Sequence, residues 1–191
     1  KEYELDGSMT VIADDNGPDA IGGIIGGELS GCTASTTNVF VELAYFDPIR
    51  TATTGRKLGI ISDARYRNER GIDPAFNAPA IELATQMIMD FCGGEPSDVV
   101  TAGEVPNTDR AYKLDTDRVQ SLVGMDIPAE EQRRTLEALG FRLEGDMAHV
   151  PSWRPDVMGE ADLVEEVARV ASLTKLVGRP MPRLHVGVPT A

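Results

Sequence analysis

At 191 residues the chain has room for one ordinary domain or two small ones, and 41% apolar with 26% charged content describes a globular protein, not a disordered one. Its uninterrupted apolar stretches are only a few residues long, which excludes a hydrophobic span of a bilayer. A net charge of −13 excludes a protein that wraps nucleic acid with its whole surface.

The chain opens Lys1-Glu2-Tyr3 with no initiator Met, basic n-region or apolar h-region, so it reads as a piece of a longer polypeptide rather than a secreted product. Met9 to Ala13 is a short β-type run, followed by the turn Asp14-Asp15-Asn16-Gly17-Pro18. Residues 20 to 27, AIGGIIGG, read as strand punctuated by glycine. Asn38 to Phe46, NVFVELAYF, reads as the clearest strand. Asp73 as N-cap and Pro74 at the first position signal a helix that Pro79 restarts or shifts. Ile81, Ala84, Ile88 and Phe91 supply its apolar stripe, and Gly93-Gly94 its end.

Gly103 to Asp109 is polar and linker-like. Beyond it the spacing predicts a strand over 111–114, helices over 115–123 and 128–139, and a hairpin of 141–143 with 147–151 around Glu144-Gly145-Asp146. Ile127, Leu136 and Leu139 should face inward, and a helix over 159–170 closes the unit. That order resembles a winged helix, and Pro180, Pro182 and Pro189 mark an extended tail. The expected class is α+β, with a mixed α/β domain over 1–105, a small winged-helix-like domain over 106–178 and a tail over 179–191.

Five features invite a chemical reading. Gly22-Gly23-Ile24-Ile25-Gly26-Gly27 suggests a phosphate loop, but no Lys-Ser or Lys-Thr follows and no long periodic helix, so a tight strand–turn–strand is the better account. Glycine there also lets backbone wall a small pocket. Between 50 and 70, Arg50, Arg56, Lys57, Arg65, Arg67 and Arg70 stand against only Asp63 and Glu69, a local +4 in an acidic chain. This is either a face for a phosphate backbone or a solvated surface balanced by acids elsewhere.

Asp156, Asp162, Glu165 and Glu166 form the acidic feature, the last three at i, i+3 and i+4 on one side of a helix. They suit an oxygen-seeking cation such as Mg²⁺, or simply an acidic helix start with Arg154 and Arg169 as partners. Cys32 and Cys92, sixty residues apart, fit neither a disulfide framework nor a metal pattern and read as buried reduced thiols. His149 and His185 are isolated, with no nucleophile or carboxylate relay nearby in sequence.

The strings GGIIGGELSGCT, NVFVELAYFDPIRTATTGRKLGIISDARYRNERGIDP and APAIELATQMIMDFCGGEP closely resemble the second half of the editing domain in the beta chains of bacterial phenylalanine–tRNA ligases. VPSWRPDVMGEADLVEEVARV resembles the signature of the next domain in those chains, in the same order and spacing. The resemblance covers roughly residues 5 to 178. It fades where Ala171-Ser172-Leu173 replaces the family's aromatic-Gly-aromatic segment.

The resemblance implies a role in hydrolysing tyrosine mischarged onto phenylalanine tRNA. Gly26 then matches a pocket wall, Glu42 the residue that recognises the tyrosine hydroxyl, and Ser62 and Ala64 further pocket positions. Ser62 stands where the family often has Thr, which keeps the hydroxyl. Asp156, Asp162, Glu165 and Glu166 match Mg²⁺ ligands of a site shared with the alpha subunit. A further pocket histidine of the family would lie before Lys1, so this stretch alone is expected to be inactive. The implied whole is a cytoplasmic tetramer of two alpha and two beta subunits that joins phenylalanine to its tRNA with ATP and Mg²⁺, binding neither DNA nor membrane. Its ATP is not expected on this stretch. A free-standing editing hydrolase and a non-catalytic docking module are the rival readings.

Overall fold

The computed structural model describes residues 1–178 and 180–181, which form two three-stranded antiparallel sheets and six α-helices, the mixture an α+β chain requires. The chain divides into two compact units, Lys1–Asp109 with Ser152–Pro155, and Arg110–Pro151 with Asp156 onward.

In the first unit β1 (Val11–Asp14) and β2 (Gly17–Ile21) pair with a register shift between Ile12 and Ala13. The Asp14 carboxylate closes their turn by accepting from Asn16 N at 2.7 Å and Gly17 N at 3.2 Å, and the Asn16 bonds hold its pKa below the ordinary carboxylate range. A turn through Gly23, at φ 68°, returns the chain as β3 (Ile25–Gly26), with Ala20 opposite Gly26. The glycine-rich run is thus a strand–turn–strand. Its core holds Ile21, Ile24 and Ile60, with Tyr3, Leu5 and Leu58 packed against them.

Asn38 to Phe46 does not form the expected strand. It has no regular secondary structure, and Phe40 is 93% exposed. β-propensity is realised only against a neighbouring strand, and none of the described strands pairs with this run. Cys32 and Cys92 are likewise exposed rather than buried, because their segments lie outside any packed core.

Two helices fill the cationic stretch. The Asp47 carboxylate accepts from Arg50 N at 2.7 Å and Pro48 opens α1 (Pro48–Leu58), which Gly59 ends in the left-handed region. Its buried positions are Thr51, Thr54 and Gly55, so no apolar stripe announces it. Ser62 caps α2 (Asp63–Asn68) by accepting from Arg65 N. Lys57 ion-pairs with Asp6, tying α1 to the N-terminal segment and holding the Asp6 carboxyl well below its usual range.

Asp73 caps a single 3-10 turn (Pro74–Phe76), and α3 (Asn77–Cys92) follows, with Pro79 in its first turn where no N–H is missed. Ile81, Ala84 and Ile88 are half-buried, but Phe91 is exposed and α3 buries no residue fully. Gly93 ends the helix as expected.

The second unit orders its strands β4–β6–β5, from β4 (Ala111–Lys113), β5 (Arg142–Glu144) and β6 (Met147–His149). β5 and β6 form a hairpin around Gly145, φ 60°, and Asp146. Helix α4 (Asp117–Val123) stops at left-handed Gly124, and α5 (Ala129–Ala138) and α6 (Glu160–Ser172) complete the unit.

Ile127 and Leu136 are buried and Leu139 partly so, all within a core that gathers Val119, Phe141, Val157, Leu163, Val164 and Val167. Buried Gln132 donates its amide to Thr116 O at 2.9 Å and Ile127 O at 2.8 Å, tying the start of α4 to the approach to α5. Of the expected tail, residue 179 and residues 182–191, with Pro182, His185 and Pro189, lie outside the described residues.

Candidate functional site

Helix α2 begins beside the glycine turn because Ser62 uses its hydroxyl twice. Its Oγ accepts from Arg65 N at 3.0 Å, capping α2, and donates to Ile24 O at 2.5 Å in the turn that leads into β3. Side chains at Gly22 and Gly23 would collide with the Phe46 ring, at 2.7 Å and 2.9 Å from an added Cβ. Phe46 therefore rests on bare glycine backbone. An added Cβ at Gly23 would also reach Asn68 of α2, at 3.3 Å. The turn, the end of the 38–46 segment and α2 consequently meet.

Three of the four sequence-predicted pocket residues, Gly26, Ser62 and Ala64, lie on the elements that form this junction. Ser62 is half-buried within it, while Gly26, on β3, and Ala64, in the first turn of α2, are exposed. An added Cβ at Gly26 would meet nothing within 4 Å, so its backbone faces open space. Glu42 is exposed, four residues before the anchored Phe46. The protein that surrounds its carboxyl pushes the pKa up by desolvation. Among the described residues no cation pairs with this carboxylate.

The cationic stretch separates into two groups that its composition could not distinguish. Arg65 is internal: its Nη1 donates to Ile60 O at 2.6 Å and its Nε to Glu69 at 2.9 Å. A Cβ at Gly55 would collide with Nε and Cδ of Arg65, so α1 and α2 approach through glycine. Lys57 is taken by Asp6, and Arg70 lies over the Tyr66 ring and pairs with Glu69. Arg50, Arg56 and Arg67 are exposed and pair with no acid among the described residues. Sequence reading missed the Tyr66–Arg70 pair, although its i, i+4 spacing was visible.

In the second unit Asp162 accepts from Met158 N at 2.7 Å, at the entry to α6. Glu166, 6% exposed, is paired with Arg169 at 2.5 Å. Glu165 and Asp156 are exposed. Among the described residues no three His, Cys, Asp or Glu side chains converge on a point where a metal ion could sit. Within this chain alone the four carboxylates do not fit a Mg²⁺ site, since the buried one already has a guanidinium partner. His149 lies on β6 with Nε2 3.2 Å from Glu144, part of the hairpin rather than of a catalytic group. No helix among the described residues is long and apolar enough to cross a membrane.

Two family models match the chain, the B3/4 domain over residues 1–93 and the tRNA synthetase B5 domain over residues 112–172. A phenylalanine–tRNA ligase beta subunit of Ruegeria pomeroyi is 67% identical over 189 residues, covering 99% of this chain and 24% of that protein. The beta subunit of Cereibacter sphaeroides is 65% identical over the same length, and that of Paramagnetospirillum magneticum 52% over 187 residues. The chain spans about a quarter of the length of these relatives.

Proposed function

We propose, from the premise that this chain belongs to the family of phenylalanine–tRNA ligase beta subunits, that its first unit contributes the deacylation pocket for mischarged tyrosyl-tRNA. The observation that carries this reading is the Ser62 bond to Ile24 O, which fastens the glycine turn to the start of α2 and gathers the pocket elements.

Phenylalanine and tyrosine differ by one hydroxyl, and a synthetic site that is merely apolar rejects an added hydroxyl weakly. A second site with an acceptor reverses the preference. Glu42 is that acceptor: tyrosine's OH satisfies it, whereas phenylalanine would bury it unpaired at roughly 1–3 kcal/mol. Gly26, Ser62 and Ala64 would shape the wall, and ester hydrolysis would follow from positioning of substrate and water, without a covalent nucleophile.

The test is tyrosyl-tRNA deacylation by the full-length beta subunit in its assembled enzyme. Glu42→Ala should lower kcat/KM for tyrosyl-tRNA about 10-fold or more, the equivalent of one hydrogen bond to a charged group. Undiminished deacylation in that variant would remove Glu42 from the site.

In this reading residues 1–105 are part of an editing domain, and 106–178 are a winged-helix-like domain whose hairpin β5–β6 is the wing. The assembly is cytoplasmic and pairs this subunit with an alpha subunit, which carries ATP-dependent aminoacylation of phenylalanine tRNA. The acidic face of α6 would join a Mg²⁺ site only with ligands from that partner, and only if Arg169 released Glu166. Calorimetry with Mg²⁺ on the tetramer and on Glu166→Ala tests it, equal binding in both returning the helix to a solvated surface.

A docking role is the second reading. Phe40, Ile61 and Phe91 are 93%, 95% and 80% exposed, and they would mark a contact surface where a partner covers them as one patch.

A further inference from the structure

One feature of the first unit lies outside its core and the proposed pocket. The Arg70 guanidinium lies 3.7 Å from the centroid of the Tyr66 ring. It is fixed there by two acceptors, Tyr66 O at 2.8 Å and the Glu69 carboxylate at 3.1 Å. Arginine is long and flexible, and holding it against an exposed ring costs side-chain entropy. Arg70 thereby satisfies a carbonyl at the end of α2, yet both partners stay largely open: Tyr66 is 59% exposed and the Arg70 side chain 55%. A rigid, flat, cationic π surface is thus presented outward.

The surroundings narrow what it can receive. Arg67, one residue on, is exposed and without an acidic partner among the described residues, as are Arg50 and Arg56 on α1. A stacking surface in a unit that also carries uncommitted cations, one of them the next residue on α2, suits single-stranded nucleic acid, which puts bases on aromatic or guanidinium planes and phosphates on cations. Tyr66 follows Ser62 by one turn of α2, about 6 Å along the helix axis. That span is comparable to one ribose, the distance separating a terminal base from the aminoacyl ester it carries.

We propose that the Tyr66–Arg70 pair is the stacking platform for the terminal base of the aminoacylated RNA 3′ end, with Arg67 taking a neighbouring phosphate. This rests on the deacylation reading above and makes Tyr66 and Arg70 positioning residues, remote from the scissile ester. The chemistry requires an unpaired end. A base still paired in a duplex exposes no face to stack upon.

The experiment uses the full-length subunit in its assembled enzyme. Tyr66→Ala should raise KM for tyrosyl-tRNA hydrolysis roughly 10-fold or more while kcat changes by less than about twofold, the signature of lost stacking. Tyr66→Phe keeps the ring and should restore the wild-type KM. Arg67→Ala should reduce the log–log salt dependence of binding by about one phosphate contact.

A minihelix with 2-aminopurine as its 3′-terminal base supplies a readout independent of hydrolysis. Its fluorescence should be quenched by the wild-type protein and by Tyr66→Phe, and not by Tyr66→Ala. Equal KM and equal quenching in all three proteins would overturn the proposal. So would loss of alpha-subunit association in Tyr66→Ala with quenching intact, which would assign the pair to a protein interface. If the wild-type enzyme proves unable to deacylate tyrosyl-tRNA while Tyr66→Ala abolishes quenching, the deacylation reading fails and the RNA platform stands. The converse pattern sinks the platform alone.

Discussion

The two units solve the same problem with different success. The second gathers thirteen buried apolar residues around α6, although its strands are three residues each and its helices short. The first holds the longest helix, the sixteen-residue α3, yet its core cluster is three isoleucines and α3 buries nothing completely. Element length therefore does not measure stability here. What matters is whether apolar faces find each other, since burial is the main favourable term in folding. In the first unit, caps, an ion pair and close glycine contacts do much of the holding that a core does in the second.

That contrast can be broken by experiment. The largest effect should come from the second unit's centre, where Leu136 is 0% exposed. Leu136→Ala should cost about 2–5 kcal/mol in urea unfolding of the 191-residue chain. A loss below about 1 kcal/mol would mean the site collapses freely and the core is less tightly packed than its burial implies.

Next comes the glycine contact of the first unit. Gly55→Ala drives a methyl into Arg65 Nε, and Arg65 cannot swing away without abandoning Ile60 O and Glu69. The expected cost is about 1–3 kcal/mol. The double variant with Arg65→Ala should be less than additive, because the second change removes the obstacle. Strict additivity would show that the two helices are not joined there.

The smallest effect is electrostatic and has a definite sign. Desolvation raises the Glu42 carboxyl pKa, so the folded chain holds that proton more tightly than the unfolded one. Stability is lost as pH rises from the unfolded-state value through the folded one. Glu42→Gln should accordingly gain stability at neutral pH, within about 0.5 kcal/mol for so exposed a position, and lose the gain in acid. Thermal unfolding at pH 7 and at about pH 3.5, below the ordinary carboxylate range, measures the difference. A variant less stable than wild type at pH 7 would show that Glu42 has a structural partner.

Much of the chain was legible because its grammar is local. Asp73-Pro74 at a helix start, Gly93 at a helix end, Gly124 after α4 and the Glu144-Gly145-Asp146 hairpin all act within a few residues. The same grammar is present at Asp47-Pro48 and Gly59, but the inward face of α1 is threonine and glycine, so periodicity gives no sign of a helix there. Asn38 to Phe46 misleads in the opposite way. It is rich in strand-favouring residues, and a strand exists only where another edge accepts its hydrogen bonds.

Around the candidate site, residue types came from the sequence and relations from the fold. Ser62 stands out in the sequence for its hydroxyl, but that it joins the glycine turn to α2 depends on a bond across 38 positions. The acidic set on α6 was correctly placed on a helix, yet pairing of Glu166 with Arg169 decides how little of it is available to a cation.

By itself the sequence determined the class of the chain, the ends of the helices from α3 onward, the hairpin and the family, since caps, turns and motif spacing are read over a handful of neighbouring residues. Only the tertiary structure decided which cations are spent on internal partners, which glycines must stay bare, and which apolar runs find a core. Those outcomes depend on distances between residues far apart in the chain, and on the desolvation that close approach brings, neither of which a linear pattern contains.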